Sequence, residues 1–129
     1  MSAPSSPSIL VAEDEASVRE FIVRGLQSAH YQITAVEDGE HALEALAEAD
    51  KNGTTFDLLI TDIVMPRMDG IALALKVVRD HPKMKIIMIS GYADARARAH
   101  NLEELIQHVM AKPFSLQDLL SNVAATLAS

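Results

Sequence analysis

One apolar segment that runs directly into a carboxylate constrains the fold of this chain more than any other feature. Residues 56–61 read Phe-Asp-Leu-Leu-Ile-Thr and lead straight into Asp62. Pro66 and the pair Asp69-Gly70 then supply turn-forming residues. An apolar run of strand length that ends in an acid is typical of a central parallel strand, whose carboxyl end lies at a surface crevice. The sequence therefore predicts that Asp62 stands at the sheet edge where open α/β proteins bind their ligands.

Four further segments repeat this order of a short strand followed by a helix. Apolar residues recur at helical spacing after the strands, which places Phe21, Leu75 and Leu116 on the apolar faces of three helices. Five alternations of strand and helix predict an α/β fold with a parallel sheet covered on both faces. Residues 93–100 contain no large apolar side chain, so a helix there is predicted to be weakly anchored and more mobile. The other predicted strands are 8–12, 31–36, 85–89 and 107–111.

Composition limits the class of protein. The 129 residues suffice for one core, and we predict a single folded domain over residues 8–128 after a disordered Ser/Pro-rich tail at 1–7. A formal net charge of −7 argues against direct DNA binding. No apolar stretch reaches the roughly 20 residues that a membrane helix needs, and the N-terminus lacks a secretory signal, so a cytoplasmic protein without membrane insertion is predicted. Without cysteine, any chemistry depends on oxygen and nitrogen groups.

Polar residues follow four of the five predicted strands. Glu13 and Asp14 follow the first strand, Asp62 the third, Ser90 the fourth and Lys112 the fifth. Clustered carboxylates repel one another unless a hard cation binds them, and Mg²⁺ prefers oxygen ligands, so Mg²⁺ is the predicted ion. An ammonium and a hydroxyl suit the binding of phosphoryl oxygens, and a carboxylate can accept a phosphoryl group. We therefore predict Asp62 as the acceptor.

Each of these residues taken singly has an ordinary structural interpretation. Acids before a helix commonly cap it, Ser-Gly pairs commonly form turns, and single lysines are commonly solvated. Only their joint placement at successive strand ends favours a functional site.

The sequence resembles the receiver domains of two-component response regulators, over residues 8–128. This resemblance implies a flavodoxin-like, CheY-like (βα)5 fold with a five-stranded parallel sheet in the order 2-1-3-4-5. The motifs that carry it are 9–15 (Ile-Leu-Val-Ala-Glu-Asp-Glu), 57–70 (Asp-Leu-Leu-Ile-Thr-Asp-Ile-Val-Met-Pro-Arg-Met-Asp-Gly), 87–92 (Ile-Met-Ile-Ser-Gly-Tyr) and 112–114 (Lys-Pro-Phe).

The resemblance also assigns roles to individual residues. It implies that Asp62 accepts a phosphoryl group from a phosphohistidine on a sensor histidine kinase or a histidine phosphotransfer protein. It implies Mg²⁺ held by Asp14, Asp62 and the backbone carbonyl of Val64, with Glu13 acting through a metal-bound water. Lys112 and Ser90 would bind the phosphoryl group, and the peptide bond between Lys112 and Pro113 would be cis.

One position departs from the family pattern. Receivers usually carry an aromatic switch residue three positions before the lysine, where this chain has Val109. Tyr92 is the nearest aromatic residue after Ser90, and we hypothesise that it takes over part of the switch role. The alternative is that Tyr92 is an ordinary loop residue.

The resulting expectation is a single-domain response regulator, monomeric or weakly dimeric, that signals by phosphorylation-dependent binding to a downstream protein. It would be no enzyme beyond catalysing its own phosphorylation and dephosphorylation. A phosphorelay intermediate and a pseudo-receiver that binds partners without phosphorylation are the alternatives. A phosphatase of the haloacid dehalogenase type is disfavoured, because Val64 stands where that type carries a second Asp.

Overall fold

A computed structural model describes residues 6–102 and 104–129. Residues 1–5 of the predicted tail lie outside the described residues. Within the described part of the chain, five strands alternate with five helices, as the pattern of the sequence predicts. The elements are β1 (Ser8–Ala12), α1 (Ala16–Ser28), β2 (Gln32–Val36), α2 (Gly39–Lys51), β3 (Leu58–Asp62), α3 (Gly70–Asp80), β4 (Lys85–Ser90), α4 (Ala93–His100), β5 (His108–Ala111) and α5 (Leu116–Ala128).

The five strands form one parallel sheet in the order β2-β1-β3-β4-β5. This confirms the predicted fold class and strand order, which is the flavodoxin-like arrangement. In the register of the sheet, Asp62 lies opposite Ile89, and Ser90 lies opposite Ala111. Because all strands run the same way, their carboxyl ends share one edge of the sheet. That common edge is what brings residues distant in sequence to a single site.

The core consists of two apolar layers, one on each face of the sheet. Leu10, Leu59 and Ile86 belong to the layer under α2, α3 and α4. Ile60 and Ile87 belong to the opposite layer, under α1 and α5. Side chains alternate between faces along a strand, and both faces of β1, β3 and β4 are covered, so the middle of each of these strands is continuously apolar. Burying one such aliphatic side chain contributes about 1.5–3 kcal/mol, which fixes the central strands firmly.

Three side chains that the spacing places on apolar helix faces are largely exposed. Leu75 is 47% exposed, Leu116 is 42% exposed and Phe21 is 41% exposed. In α3 the buried apolar side chains are Leu73, Ala74 and Val77, so the prediction is wrong for Leu75. The cause is the nearly continuous apolar run from 71 to 75, which is compatible with more than one rotation of the helix.

Strand and helix boundaries agree closely with the sequence pattern. β2 begins at Gln32 and β5 at His108, each one residue later than predicted. The segment 93–100 forms a helix, and its buried side chains are Ala95 and Ala99, in agreement with a weak apolar anchor. Its mobility stays a prediction.

None of the helices in the described residues is both long and apolar enough to cross a bilayer.

Candidate functional site

Carboxylates at the ends of β1 and β3 converge on the ammonium group of Lys112, at the end of β5. Its Nζ atom lies 2.9 Å from Asp62 Oδ2 and 2.7 Å from Glu13 Oε1. The exposed side chain of Glu15 also approaches this ammonium, at 3.2 Å. The peptide bond between Lys112 and Pro113 is cis, as the resemblance implies. The structure thus joins the ends of β1, β3 and β5 through one cation.

Three carboxylates at this edge are arranged as possible ligands of a metal ion. Glu13, Asp14 and Asp62 each offer a carboxylate oxygen, and these atoms lie within 4.8 Å of one another. Glu13 is fully buried and Asp62 is 4% exposed, whereas Asp14 faces solvent. Glu13 Oε1 has no aligned hydrogen-bond donor, although the ammonium lies close to it. An all-oxygen donor set with one buried, incompletely satisfied oxygen and one open side fits a hard divalent cation.

The electrostatics of the site lead to the same conclusion. Burial raises the pKa of the Glu13 carboxyl to about 7, against the lowering effect of Lys112. Burial likewise raises the pKa of Asp62. Burial alone would lower the pKa of Lys112, but its contacts with Glu13 and Asp62 raise it above the ordinary value, so it stays charged. One ammonium is shared by more negative charge than it neutralises, and a second cation would relieve that excess.

Ser90 is fully buried at the end of β4. Its hydroxyl oxygen accepts a hydrogen bond from the backbone N–H of Tyr92 at 3.0 Å, and is therefore engaged with the start of α4. The Tyr92 side chain is 65% exposed. Val109 packs against the apolar layer under α4. The proposed switch role of Tyr92 stays a prediction.

A cleft of about 640 Å³ opens above the carboxylates. Asp14, Asp62 and Lys112 lie on its polar side. Its apolar side includes Phe21 and Phe114, whose ring centroids are 6.0 Å apart. A carboxylate at the floor and partly exposed apolar side chains at the rim give the cleft the mixed polar and apolar surface that is common in protein interfaces. The cleft is lined by Asp14, Glu15, Ser17, Val18, Phe21, Asp62, Val64, Gly91, Tyr92, Lys112, Pro113 and Phe114.

The loop after β3 folds back onto the end of that strand at Gly70. The Gly70 N–H donates to the carbonyl of Ile63 at 2.7 Å. A Cβ atom at residue 70 would lie 2.1 Å from the carbonyl oxygen of Asp62. Only glycine permits this approach of two backbone segments, which sets the position of Asp62.

An ion pair between a buried Asp38 and a half-exposed Arg67, which the motifs do not reveal, holds the same loop from its other side. Asp38 is fully buried and accepts hydrogen bonds from His41 N and His41 Nδ1, both at 2.8 Å. Arg67, in the left-handed region at φ 70°, donates to Asp38 Oδ2 at 2.9 Å. The backbone hydrogen bond from His41, helped by Arg67, lowers the pKa of Asp38 from 3.8 to about 2. Asp38-Gly39 signals a helix cap, but nothing in the sequence links it to a residue 29 positions away.

Replacing Asp38 with alanine is expected to lower the free energy of unfolding by about 2 kcal/mol at neutral pH, because both the helix cap and the partner of Arg67 are lost. The folded-state pKa lies below the ordinary value, so the ionised carboxylate stabilises the fold above about pH 4. That contribution is lost as the pH falls towards 2. Urea unfolding of the wild type and of Asp38→Ala should therefore show a difference in the free energy of unfolding that becomes smaller as the pH falls over this range.

Asp69→Ala is the matched control for that prediction. Asp69 caps α3 by accepting from Ala72 N at 2.8 Å, but its side chain is 39% exposed, and Arg98 lies 3.7 Å away. Asp69→Ala should lower the free energy of unfolding by only about 1 kcal/mol, which is what a helix cap alone contributes. Equal costs for the two variants would contradict a stabilising role for the Arg67 pair.

Comparison with known proteins agrees with the fold. The family model for the response regulator receiver domain matches residues 9–124. The chain therefore belongs to the response regulator receiver domain family of two-component systems, as the motifs predict.

Individual relatives support this assignment over nearly the whole chain. The chain is 39% identical over 119 residues to the response regulator receiver protein CpdR of Brucella abortus, covering 92% of this chain and 95% of that protein. It is also 39% identical over 123 residues to sensor kinase CckA of the same organism, covering 95% of this chain and 13% of that protein. The crystal structure of the response regulator TrrA from Thermotoga maritima in complex with Mg²⁺-BeF superposes with a TM-score of 0.78 at 28% identity, covering 93% of this chain and 98% of that one.

Proposed function

We propose that Asp62 accepts a phosphoryl group from a phosphohistidine on a sensor histidine kinase or a histidine phosphotransfer protein. The observation that carries this proposal is the buried carboxylate of Asp62, 2.9 Å from the Lys112 ammonium and within a cluster of metal-type oxygen ligands. An Asp62 carboxylate oxygen attacks phosphorus, and the bond from phosphorus to the histidine nitrogen breaks. The electron pair stays with that nitrogen, so a phosphohistidine protonated at its other ring nitrogen leaves as a neutral imidazole, and the aspartate becomes an acyl phosphate.

The surrounding residues stabilise the group during transfer. Lys112 releases part of its contact with Glu13 and binds the phosphoryl oxygens. The Ser90 hydroxyl turns from the Tyr92 N–H towards one of them. Asp14, Asp62 and the Val64 carbonyl would hold Mg²⁺, with Glu13 acting through a water molecule. When bound, Mg²⁺ neutralises charge that develops on the phosphoryl oxygens.

The signal produced is a change in protein binding. A phosphoryl group adds negative charge at a site that already holds more negative than positive charge, so Lys112 and Ser90 rearrange and shift an existing equilibrium between two conformations. The downstream partner would be a protein that distinguishes these conformations. The chain's own chemistry would be limited to its phosphorylation and dephosphorylation.

Asp62→Asn is expected to reduce labelling by radioactive acetyl phosphate to background, because the amide cannot form the acyl phosphate. Chelation of Mg²⁺ should have the same effect on the wild-type protein. The control is Asp57→Asn. The Asp57 carboxylate lies just before the same strand, at the opposite edge of the sheet, and accepts a hydrogen bond from Ser8 N. Labelling that survives in Asp62→Asn, or that ignores Mg²⁺, would refute the proposal.

A further inference from the structure

The fourth helix is attached to the sheet in a way that differs from its neighbours. The side chains that α4 buries are Ala95 and Ala99. By contrast, α1 buries Ile22 and Leu26. Hydrophobic stabilisation grows with the apolar area removed from water, and two methyl groups remove little of it. Polar contacts must therefore account for much of what positions α4.

Two such polar contacts meet at one residue, Ser90. Its carbonyl oxygen accepts a hydrogen bond from Arg96 Nη1 at 2.9 Å, and also one from the Lys112 N–H at 3.0 Å. Its hydroxyl oxygen accepts from the N–H of Tyr92, the N-cap residue of α4, at 3.0 Å. The helix is thus tied to Ser90 twice, once through the hydroxyl and once through the carbonyl.

Arg96 and Arg98 lie two positions apart in α4 but have different environments. Arg96 is half-buried and donates to the end of β4. The Arg98 side chain is 54% exposed and lies 3.7 Å from Asp69 Oδ2, a surface contact of the kind that contributes little. Of these two arginines, Arg96 is the one that connects α4 to a residue of the candidate site.

We propose that Arg96 is a positioning residue that couples Ser90 to α4. This inference rests on the proposed function. Once the Ser90 hydroxyl turns to a phosphoryl oxygen, the Tyr92 N–H loses its acceptor. The hydrogen bond from the Arg96 side chain to the Ser90 carbonyl then still joins this strand end to the helix. A displacement of the Ser90 backbone therefore reaches α4 through the guanidinium group of Arg96.

A similar bond on another helix shows why Arg96 matters where it is. Arg19 of α1 donates from Nη1 to the carbonyl of Glu13 at 2.8 Å, six residues back, as Arg96 does to Ser90. The buried aliphatic residues of α1 position that helix in any case. The bond is similar in both helices, but only α4 depends on it.

The first test needs no phosphoryl group and compares two variants of the same helix. Arg96→Ala is expected to speed amide hydrogen exchange in α4 by about tenfold, because a charge-assisted hydrogen bond is lost. Arg98→Ala removes the same charge and makes the same substitution, and should change exchange by less than about twofold. Alanine is the better helix former, so propensity alone would slow exchange in both variants. Arg96→Lys, which keeps a donor, should fall between wild type and Arg96→Ala.

The second test measures coupling, using beryllofluoride with Mg²⁺ as a mimic of the phosphoryl group and backbone amide chemical shifts as the signal. In the wild type and in Arg98→Ala, the mimic should shift the amides of Ser90, Tyr92 and α4. In Arg96→Ala, the Ser90 shift should persist while the α4 shifts fall by about half or more, which a merely stabilising role would not produce.

Several results would overturn this inference. One is an Arg96→Ala variant that behaves like Arg98→Ala in both experiments. Another is an Arg96→Ala variant that no longer binds the mimic, since Arg96 would then act within the site itself. A wild-type protein that ignores beryllofluoride would instead refute the proposed function. The exchange comparison would still decide whether Arg96 attaches the helix.

Discussion

Replacing Lys112 with methionine is expected to lower the free energy of unfolding by about 3 kcal/mol in the absence of divalent cations. The Lys112 side chain is only 13% exposed, and it lies within 3 Å of both Glu13 and Asp62. Methionine keeps most of the side-chain volume but leaves two buried carboxylates without their cation. An unpaired buried charge costs far more than the pair contributes, so the effect should exceed that of most substitutions in the chain.

The loss of stability in Lys112→Met should depend on pH in a defined direction. Burial already raises the pKa of Glu13 to about 7, and removing the ammonium raises the pKa of both carboxyls further. A carboxyl whose folded-state pKa is raised destabilises the fold once the pH exceeds its ordinary value, because ionisation favours the unfolded chain. The deficit of Lys112→Met should therefore be larger at pH 8 than at about pH 5.

Urea unfolding with and without Mg²⁺ checks this prediction. Mg²⁺ should recover part of the lost stability, because a divalent cation replaces the missing positive charge among the carboxylates. The control is Lys83→Met, an exposed lysine between α3 and β4, which should change stability by less than about 0.5 kcal/mol. Equal costs for the two lysine variants would show that the cluster does not need its ammonium.

Gly70→Ala is expected to lower the free energy of unfolding by about 3 kcal/mol and also to impair labelling of Asp62 by acetyl phosphate. The added Cβ would lie 2.1 Å from the Asp62 carbonyl oxygen and 3.0 Å from the Cα of Ile63. Both neighbours are backbone atoms, so no side-chain rotation relieves the clash. Either the end of β3 or the start of α3 must move, and both determine where the Asp62 carboxylate stands.

Gly91→Ala provides the matched control for this second prediction. The nearest atom to a Cβ at residue 91 is Cβ of Lys112 at 3.8 Å, an ordinary van der Waals distance. This variant should stay within about 1 kcal/mol of the wild type. Thermal or urea unfolding and labelling by acetyl phosphate give the two readouts. If Gly70→Ala unfolds like Gly91→Ala and labels normally, the close approach does not position Asp62.

The strands and the site residues at their ends were predictable for a local reason. Fully covered parallel strands are continuously apolar, so an acid or a lysine directly after such a run marks the carboxyl end of the strand. Asp62 and Lys112 are recognisable in this way, and parallel topology then places them on one edge. The rotation of α3 was not predictable from the same signal. Its first residues are almost all apolar, and only packing against the sheet decided that Leu73 rather than Leu75 is buried.

The sequence by itself determined the alternation of elements, the family and the residues that meet at the sheet edge, because hydrophobic periodicity and motif spacing are local properties of the chain. Only the tertiary structure decided the ion pair of Asp38 with Arg67 and the bond from Arg96 to Ser90. The first joins loops far apart in sequence. The second ends on a backbone carbonyl, a group that every residue carries, so no pattern of residue types can reveal which carbonyl a side chain will reach.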